Sequence, residues 1–300
     1  IPYRRLTDGS LTQFGWGRRQ RRIEAAEVDR TSVIAESIAQ DKDLTRLLLR
    51  SVGVPVPEGR PVSSPGDAWA AAQALGLPVV IKPRFGNHGR GISADLRTQD
   101  GIERAFSAAL SESPDILCER HIPGADHRLL VVGERVVAAA LREPAQVIGD
   151  GVASVAELVD RANGDPRRSE GHATVLSLIK LDVIGLAVLA EQGYTPDSIP
   201  AAGVQVLIRN TANLSTGGTA TDITDLVHPE VAARAVDAAR VVGLDIAGVD
   251  VLAQDIGQPL EVQGGAVVEV NAGPGLRMHL EPSAGTPRPV GEAIVDLLFA

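Results

Sequence analysis

Two short segments near the C-terminal end constrain this chain more than any other feature: Ala247-Gly-Val-Asp250-Val-Leu252 and Val267-Val-Glu269-Val-Asn271-Ala-Gly-Pro-Gly275. Both are rich in β-branched residues and read as strands. The stretch from Ala253 to Gly265 carries Asp, Gly and Pro and reads as a long hairpin loop. Residues two apart on a strand share a face, so Glu269 and Asn271 point one way and Val268 and Val270 the other. With Asp250 on the neighbouring strand, three oxygen-bearing side chains converge among apolar residues. Buried carboxylates are costly without a partner, so a cation is expected between them. A few hard oxygen ligands with room for water and phosphate suit magnesium better than zinc or a calcium cage. The alternative is a pair of acidic residues facing solvent on an edge hairpin.

The bulk properties narrow the class. At 300 residues with 44% hydrophobic and 22% charged residues, the chain can bury a large core as a soluble globular protein. A net charge of −9 argues against a nucleic-acid binder. Arg18-Arg19-Gln20-Arg21-Arg22 is a local exception, read as a solvated or salt-bridged segment. The one cysteine, Cys118, cannot form an internal disulfide, which points to a reducing cytoplasm. Its neighbours Ile116 and Leu117 suggest a small buried side chain rather than a nucleophile. No apolar run reaches membrane-spanning length, no signal peptide is visible, and no membrane partner is expected. A start at Ile1 without Met reads as part of something longer.

Along the chain, residues 1–28 look like a connecting segment. Apolar spacing predicts helix over 29–51 with a break near Asp41, a second helix from Pro65 to Leu75, and others at 98–112, 229–242 and 290–299. Strands are expected at 79–82, 92–96, 116–119, 126–132, 135–141 and 204–208. Ile122-Pro123-Gly124 marks a hinge. Residues 29–121 then form one subdomain and 122–300 another, with a loop-rich insertion at about 143–200. Helical patches are expected there at Val155–Ala162, Val175–Leu178 and Asp182–Glu191. Helices alternating with mostly antiparallel hairpins give an α+β class.

Several residues could carry chemistry. Lys82 ends a strand and runs into Gly86-Asn87-His88-Gly89-Arg90-Gly91, whose glycines allow close backbone approach to phosphate oxygens. A strand rather than a helix follows, so this is neither a dinucleotide fingerprint nor a P-loop. Lys42 opens a helix; Glu119 precedes the hinge and Asp126 follows it. Hinge backbone groups between two lobes commonly meet an adenine, and a nearby carboxylate takes ribose hydroxyls. Arg209-Asn210-Thr-Ala-Asn213-Leu-Ser215-Thr216-Gly217-Gly218 suits a carboxylate or acyl phosphate, with Arg209 supplying charge-assisted bonds. Arg277 is a second candidate carboxylate clamp. Surface ion pairs and solvated faces are the competing readings for each.

The order Lys42, Lys82 with its glycine loop, Glu119, Arg209-Asn210, Asp250 and Glu269-x-Asn271 resembles the ATP-grasp superfamily. Asp41-Lys42-Asp43-Leu44-Thr45, Lys82-Pro83, Arg209 to Gly218 and Glu269-Val-Asn-Ala-Gly-Pro-Gly resemble the ATP-grasp domain of the cyanophycin synthetase family. The resemblance covers essentially the whole chain. It implies an ATP-grasp fold, two α+β subdomains sandwiching ATP. It also implies an ATP-dependent carboxylate–amine ligase that activates the C-terminus of a poly-aspartate (cyanophycin) primer as an acyl phosphate and adds aspartate.

By resemblance, Lys42 and Lys82 hold phosphates with Gly86, Asn87, Gly89 and Gly91. Glu119, Arg120 and Ile122 line the adenine site, Asp126 holds ribose, and Asp250, Glu269 and Asn271 bind Mg2+. Arg128, Asn210, Ser215, Thr216, Gly217, Gly218 and Arg277 handle substrate. Arg209 neutralises the transferring phosphoryl group, and His88 is a candidate for the amine proton. The family's full-length enzyme has further domains, including a Mur-ligase-like one with a GxxGK[ST] loop that is absent here. The chain is therefore expected to be fused to further domains, and a homo-oligomer stays open. The competing readings are a peptide ligase with another substrate and a nucleotide-binding module without catalysis.

Overall fold

The computed structural model describes residues 1–86, 90–170 and 174–300. Asn87, His88 and Gly89, named above, lie outside the described residues. The chain divides into two compact units, one of residues 1–139, 224–276 and 289–300, the other of 140–223 and 277–288. The units therefore do not part at the hinge expected at Ile122, because the strand that follows the hinge pairs inside the first unit.

The first unit opens with β1 (Tyr3–Arg5), β2 (Thr12–Phe14), β3 (Arg21–Glu24) and β4 (Glu27–Val28), an antiparallel sheet in sequence order. Residues 1–28 are thus a folded meander rather than a connecting segment, and Ala26 and Val28 are buried in the unit's core. Helices α1 (Val33–Gln40) and α2 (Lys42–Ser51) follow, broken at Asp41 as expected. The Asp41 carboxylate accepts from the backbone of Asp43 and Leu44 and so caps α2. Then come β5 (Gly59–Val62), α3 (Pro65–Leu75), β6 (Val79–Pro83), β7 (Ser93–Leu96), α4 (Gln99–Leu110) and β8 (Ile116–Arg120). Ser64 caps α3 and Pro65 fills its first turn, where a missing N–H costs nothing. The sheet β5-β8-β6-β7 is covered by α3 and α4, burying Ala68, Ala72, Ile81, Ile102, Phe106 and Cys118.

After the hinge, β9 (Ala125–Val132) and β10 (Arg135–Glu143) form the expected hairpin. From Ala140 onward the chain belongs to the second unit. It continues through β11 (Gln146–Ile148), α5 (Val155–Asn163), β12 (Arg168–Ser169), β13 (Leu176–Ser177), α6 (Val183–Glu191), β14 (Gln205–Leu207) and β15 (Thr219–Asp222). The patch Val175–Leu178, expected helical, is instead the short strand β13, paired in parallel with β12. Only two residues pair, too few for any periodicity to declare itself. A core of Val155, Val159, Leu189, Val206 and Ile208 holds this unit together.

The chain returns to the first unit through α7 (Pro229–Val242), β16 (Ile246–Ala253), the short helix α8 (Leu260–Gln263) and β17 (Ala266–Asn271). The stretch expected to be a plain hairpin loop thus contains α8. Helix α9 (Arg277–Leu280) lies in the second unit, and α10 (Val290–Phe299) closes the chain in the first. Strands β9, β16 and β17 lie side by side, antiparallel, with β16 in the middle and buried along nearly its whole length.

Candidate functional site

The first unit gathers most of the charged candidates. Across β9, β16 and β17, Asp250 stands directly opposite Arg128 on one side and Glu269 on the other. Register thus places all three on one face of the sheet. The pairing slips by one residue immediately after Asp250, so β17 carries a bulge at Val268 beside the acidic pair. Bulges re-aim side chains in this way where a site is built. Arg128 and Asp250 are both buried, and their side chains form a two-pronged ion pair, Arg128 Nε to Oδ1 and Nη2 to Oδ2 at 3.1 Å. Gly248 makes room for it: a Cβ there would come within 3.0 Å of the Arg128 guanidinium and 2.8 Å of Pro274.

The cation expected beside Asp250 is therefore supplied by the chain itself in this state. Glu269 is likewise met by Lys42, whose Nζ is 3.5 Å from its carboxylate. The Asn271 side-chain amide donates to the Gly248 carbonyl at 3.2 Å, which leaves its oxygen as the group to face a metal. Among the described residues no group of three His, Cys, Asp or Glu side chains forms a metal cluster. The Asp250–Glu269–Asn271 set has two carboxylates and an amide. These are hard oxygen donors of the kind magnesium takes when phosphates and water complete its shell, so the residues present fit Mg2+.

Lys42 opens α2, and its ammonium also donates to the Gly86 carbonyl at 2.5 Å. Arg84 fixes the same junction, its guanidinium reaching both Asp41 oxygens at 2.8 and 2.7 Å. The hydrogen bonds from Arg84 hold the Asp41 carboxyl below its ordinary pKa, helped by the α2 backbone N–H groups. One residue pair thus caps the helix that carries Lys42 and anchors the strand end leading to Gly86. Sequence reading missed Arg84. Its position directly after Lys82-Pro83 and before the glycines was the available signal.

Lys82 on β6 pairs with Glu119 on β8 at 2.6 Å, and both side chains are almost fully buried. Register explains the pair: Lys82 lies opposite Leu117 and Val80 opposite Glu119, so the two long side chains meet diagonally. A cleft lined by Lys42, Glu119 and Glu269 together with Leu49, Val56 and Val268 runs beside these groups. Arg120 turns its side chain away to Glu58 and the Leu75 carbonyl, at 2.9 and 3.0 Å, while Ile122 is buried and Asp126 half-buried. Gly91 adopts a positive φ.

The second unit holds the remaining candidates. Arg209 is buried rather than a surface ion-pair residue. It donates to the carbonyls of Lys180 and Ile208 at 3.1 and 2.9 Å and to Asp182 at 2.8 Å. Ser215 and Thr216 sit in a single 3-10 turn that ends at Gly217 with φ +96°. A Cβ at Gly217 would lie 2.9 Å from Ile179, so the glycine is required by both conformation and space. Arg168 secures this turn through the carbonyls of Gly217 and Ser177 at 3.0 and 2.6 Å, and burial pulls its guanidinium pKa down. Asn210 is exposed, and Arg277 donates to the Thr174 carbonyl at 2.5 Å.

Comparison with known proteins places this architecture. Residues 41–175 match the model for the carbamoyl-phosphate synthase L chain, ATP binding domain. Residues 202–286 match the RimK-like ATP-grasp domain. The crystal structure of a bifunctional glutathione synthetase from Pasteurella multocida superposes with a TM-score of 0.71 at 33% identity, covering all of this chain and 42% of that one. The chain is an ATP-grasp domain, in an α+β fold. It is similar along its whole length to cyanophycin synthetases, at 46% identity over 300 residues to that of Nostoc sp.. It is 35% identical over 279 residues, 92% of the chain, to the glutathione biosynthesis bifunctional protein of Clostridium perfringens, of which it covers 36%. The chain spans about a third of the length of the curated relatives it matches, 33% for the Nostoc protein.

Proposed function

We propose that this chain is the module of a longer, cytoplasmic protein that joins a carboxylate to an amine at the expense of ATP, through an acyl phosphate. The acceptor in this reading is the C-terminus of a poly-aspartate backbone and the incoming amine is aspartate. The observation that carries the proposal is the row Arg128–Asp250–Glu269 on adjacent strands, with Lys42 within reach of both Glu269 and the Gly86 carbonyl.

Phosphoryl transfer asks chiefly for positioning and charge neutralisation. Lys42 and Lys82 supply fixed positive charge for the phosphates, and the Gly86 backbone approaches without a side chain. Asp250, Glu269 and Asn271 would hold Mg2+, which supplies Lewis-acid neutralisation of phosphate oxygens. Arg128 and Arg209 are the guanidinium groups proposed for the carboxylates and the acyl phosphate, each giving up for them the carboxylate, Asp250 or Asp182, that it holds in this state. A carboxylate oxygen attacks the γ-phosphorus of ATP, the bond from that phosphorus to the bridging oxygen breaks, and ADP leaves. The amine then attacks the acyl carbon, and phosphate leaves with that oxygen. The amine must be neutral, and His88 is the proposed proton acceptor.

Phosphate release from ATP should require both aspartate and a short poly-aspartate primer, each omitted in turn; equal release without either defeats the reading. The kinship with glutathione-forming proteins, 35% identical, favours a second reading with another acceptor, which a panel of amines and acids separates.

A further inference from the structure

The first 22 residues hold six arginines against one aspartate, a net +5 in a chain whose total is −9, so the remainder carries −14. Arg21 is tied down, donating to the Leu298 carbonyl at 3.0 Å. Arg4, Arg5, Arg18, Arg19 and Arg22 are exposed, and none of the five forms an ion pair among the described residues. Elsewhere arginines find carboxylates readily, as Arg60, Arg84 and Arg288 do with Asp67, Asp41 and Asp222. In a chain this acidic, a run of unpaired guanidinium groups is not explained by folding.

The meander presents them in order. Arg4 and Arg22 flank Gln13 on one face, in register across β1, β2 and β3. Two strand spacings put their backbones about 10 Å apart. The Arg4 guanidinium lies 4.9 Å over the ring of Trp16, itself exposed, and the turn Gly17–Arg19 then adds Arg18 and Arg19. Gln13 is 2% exposed, yet its Oε1 takes no hydrogen bond from either flanking arginine. Arg4 is occupied with Trp16, and the forks of Arg18, Arg19 and Arg22 are left for an outside partner.

We propose that this arginine face is a docking surface for an acidic polypeptide, a flexible run of carboxylate side chains. Guanidinium forks match carboxylates in pairs, and an extended peptide advances about 3.3 Å per residue, so a few residues cover the patch. A nucleic-acid duplex would run well past it onto the rest of a chain whose formal charge is −14, beyond the roughly 8–10 Å over which salt screens charge. The surface lies outside the proposed reaction groups. It rests on the ligase reading only for which acidic peptide is met in the cell.

The test uses the intact protein and a fluorescein-labelled ten-residue poly-aspartate peptide, read by anisotropy in 50 and 200 mM KCl. Controls are a ten-residue poly-asparagine peptide and a single-stranded DNA of equal charge. The triple variant R18Q/R19Q/R22Q should bind poly-aspartate at least about tenfold more weakly and lose most of the salt dependence. R18K/R19K/R22K should retain partial binding. Nucleotide binding, followed with a fluorescent ATP analogue, should be unchanged in both and certifies the fold. Wild-type affinity in the glutamine variant overturns the proposal, as does tighter binding of the DNA than of the peptide. Loss of primer-dependent phosphate release with peptide docking intact would fault the ligase reading alone.

Discussion

The buried pair Lys82–Glu119 offers a quantitative test of how this unit is held together without ligand. Their side chains are 8% and 4% exposed and lie 2.6 Å apart on neighbouring strands. Neutralising one partner strands the other as an uncompensated buried charge, at a cost of about 3–5 kcal/mol. For a unit of roughly 200 residues, about 2–4 °C per kcal/mol applies, so K82M and E119Q should each lower the melting temperature by about 10 °C. The double variant K82M/E119Q carries no buried charge, and its cost should fall to about 1–3 kcal/mol, that of an amide short of partners. The double-mutant cycle, run by urea unfolding without nucleotide, should therefore show a coupling of several kcal/mol. Additive losses, with the double variant as unstable as the sum of the singles, would refute the argument that the two charges sustain each other.

Glu269→Gln removes one of two carboxylates from the proposed magnesium set while sparing the core. It should cut ATP-dependent turnover at least about a hundredfold with an unchanged melting curve; a parallel loss of both would make Glu269 structural. Asp41 is held below the ordinary carboxyl value of about 3.9 by Arg84. A depressed folded-state pKa gives stability that is full above the unfolded value and is lost as the pH falls through the folded one. D41N keeps the helix cap but not the charge, so its stability deficit at pH 7 should shrink below about pH 4. A deficit independent of pH would count against the pair. Burial pushes the Cys118 thiol up to about 11. Its alkylation by iodoacetamide at pH 7.5 should therefore be negligible in the native protein and appear only on unfolding in urea.

Much of this was readable before any coordinates. The helices over 65–75, 99–110 and 229–242 carry long apolar periods and clear caps, and the hairpin of β9 and β10 turns at Gly133-Glu134. The N-terminal meander was not legible, because strands of two to four residues broken by glycine leave no period to detect. Asp250, Glu269 and Asn271 could be picked out because a two-residue repeat assigns faces on a strand. What the sequence could not show was the partners. Arg128 lies 122 residues from Asp250, and Lys42 meets Glu269 only once α2 packs beside β17. Arg209 was singled out for its fork. Its burial against the Lys180 and Ile208 carbonyls depends on the path of the chain through the second unit, and no local pattern encodes that path.

The central claim is that a carboxylate is activated by direct attack on ATP. The sharpest measurement follows oxygen: a poly-aspartate primer labelled with 18O in its C-terminal carboxylate is extended with aspartate and ATP, and the released phosphate is weighed by mass spectrometry. An acyl phosphate passes one carboxylate oxygen to phosphorus, so the first addition to each primer should release phosphate carrying one 18O, and later additions, which activate the unlabelled aspartate just added, should not. Primers extended with no 18O-labelled phosphate released would contradict the account.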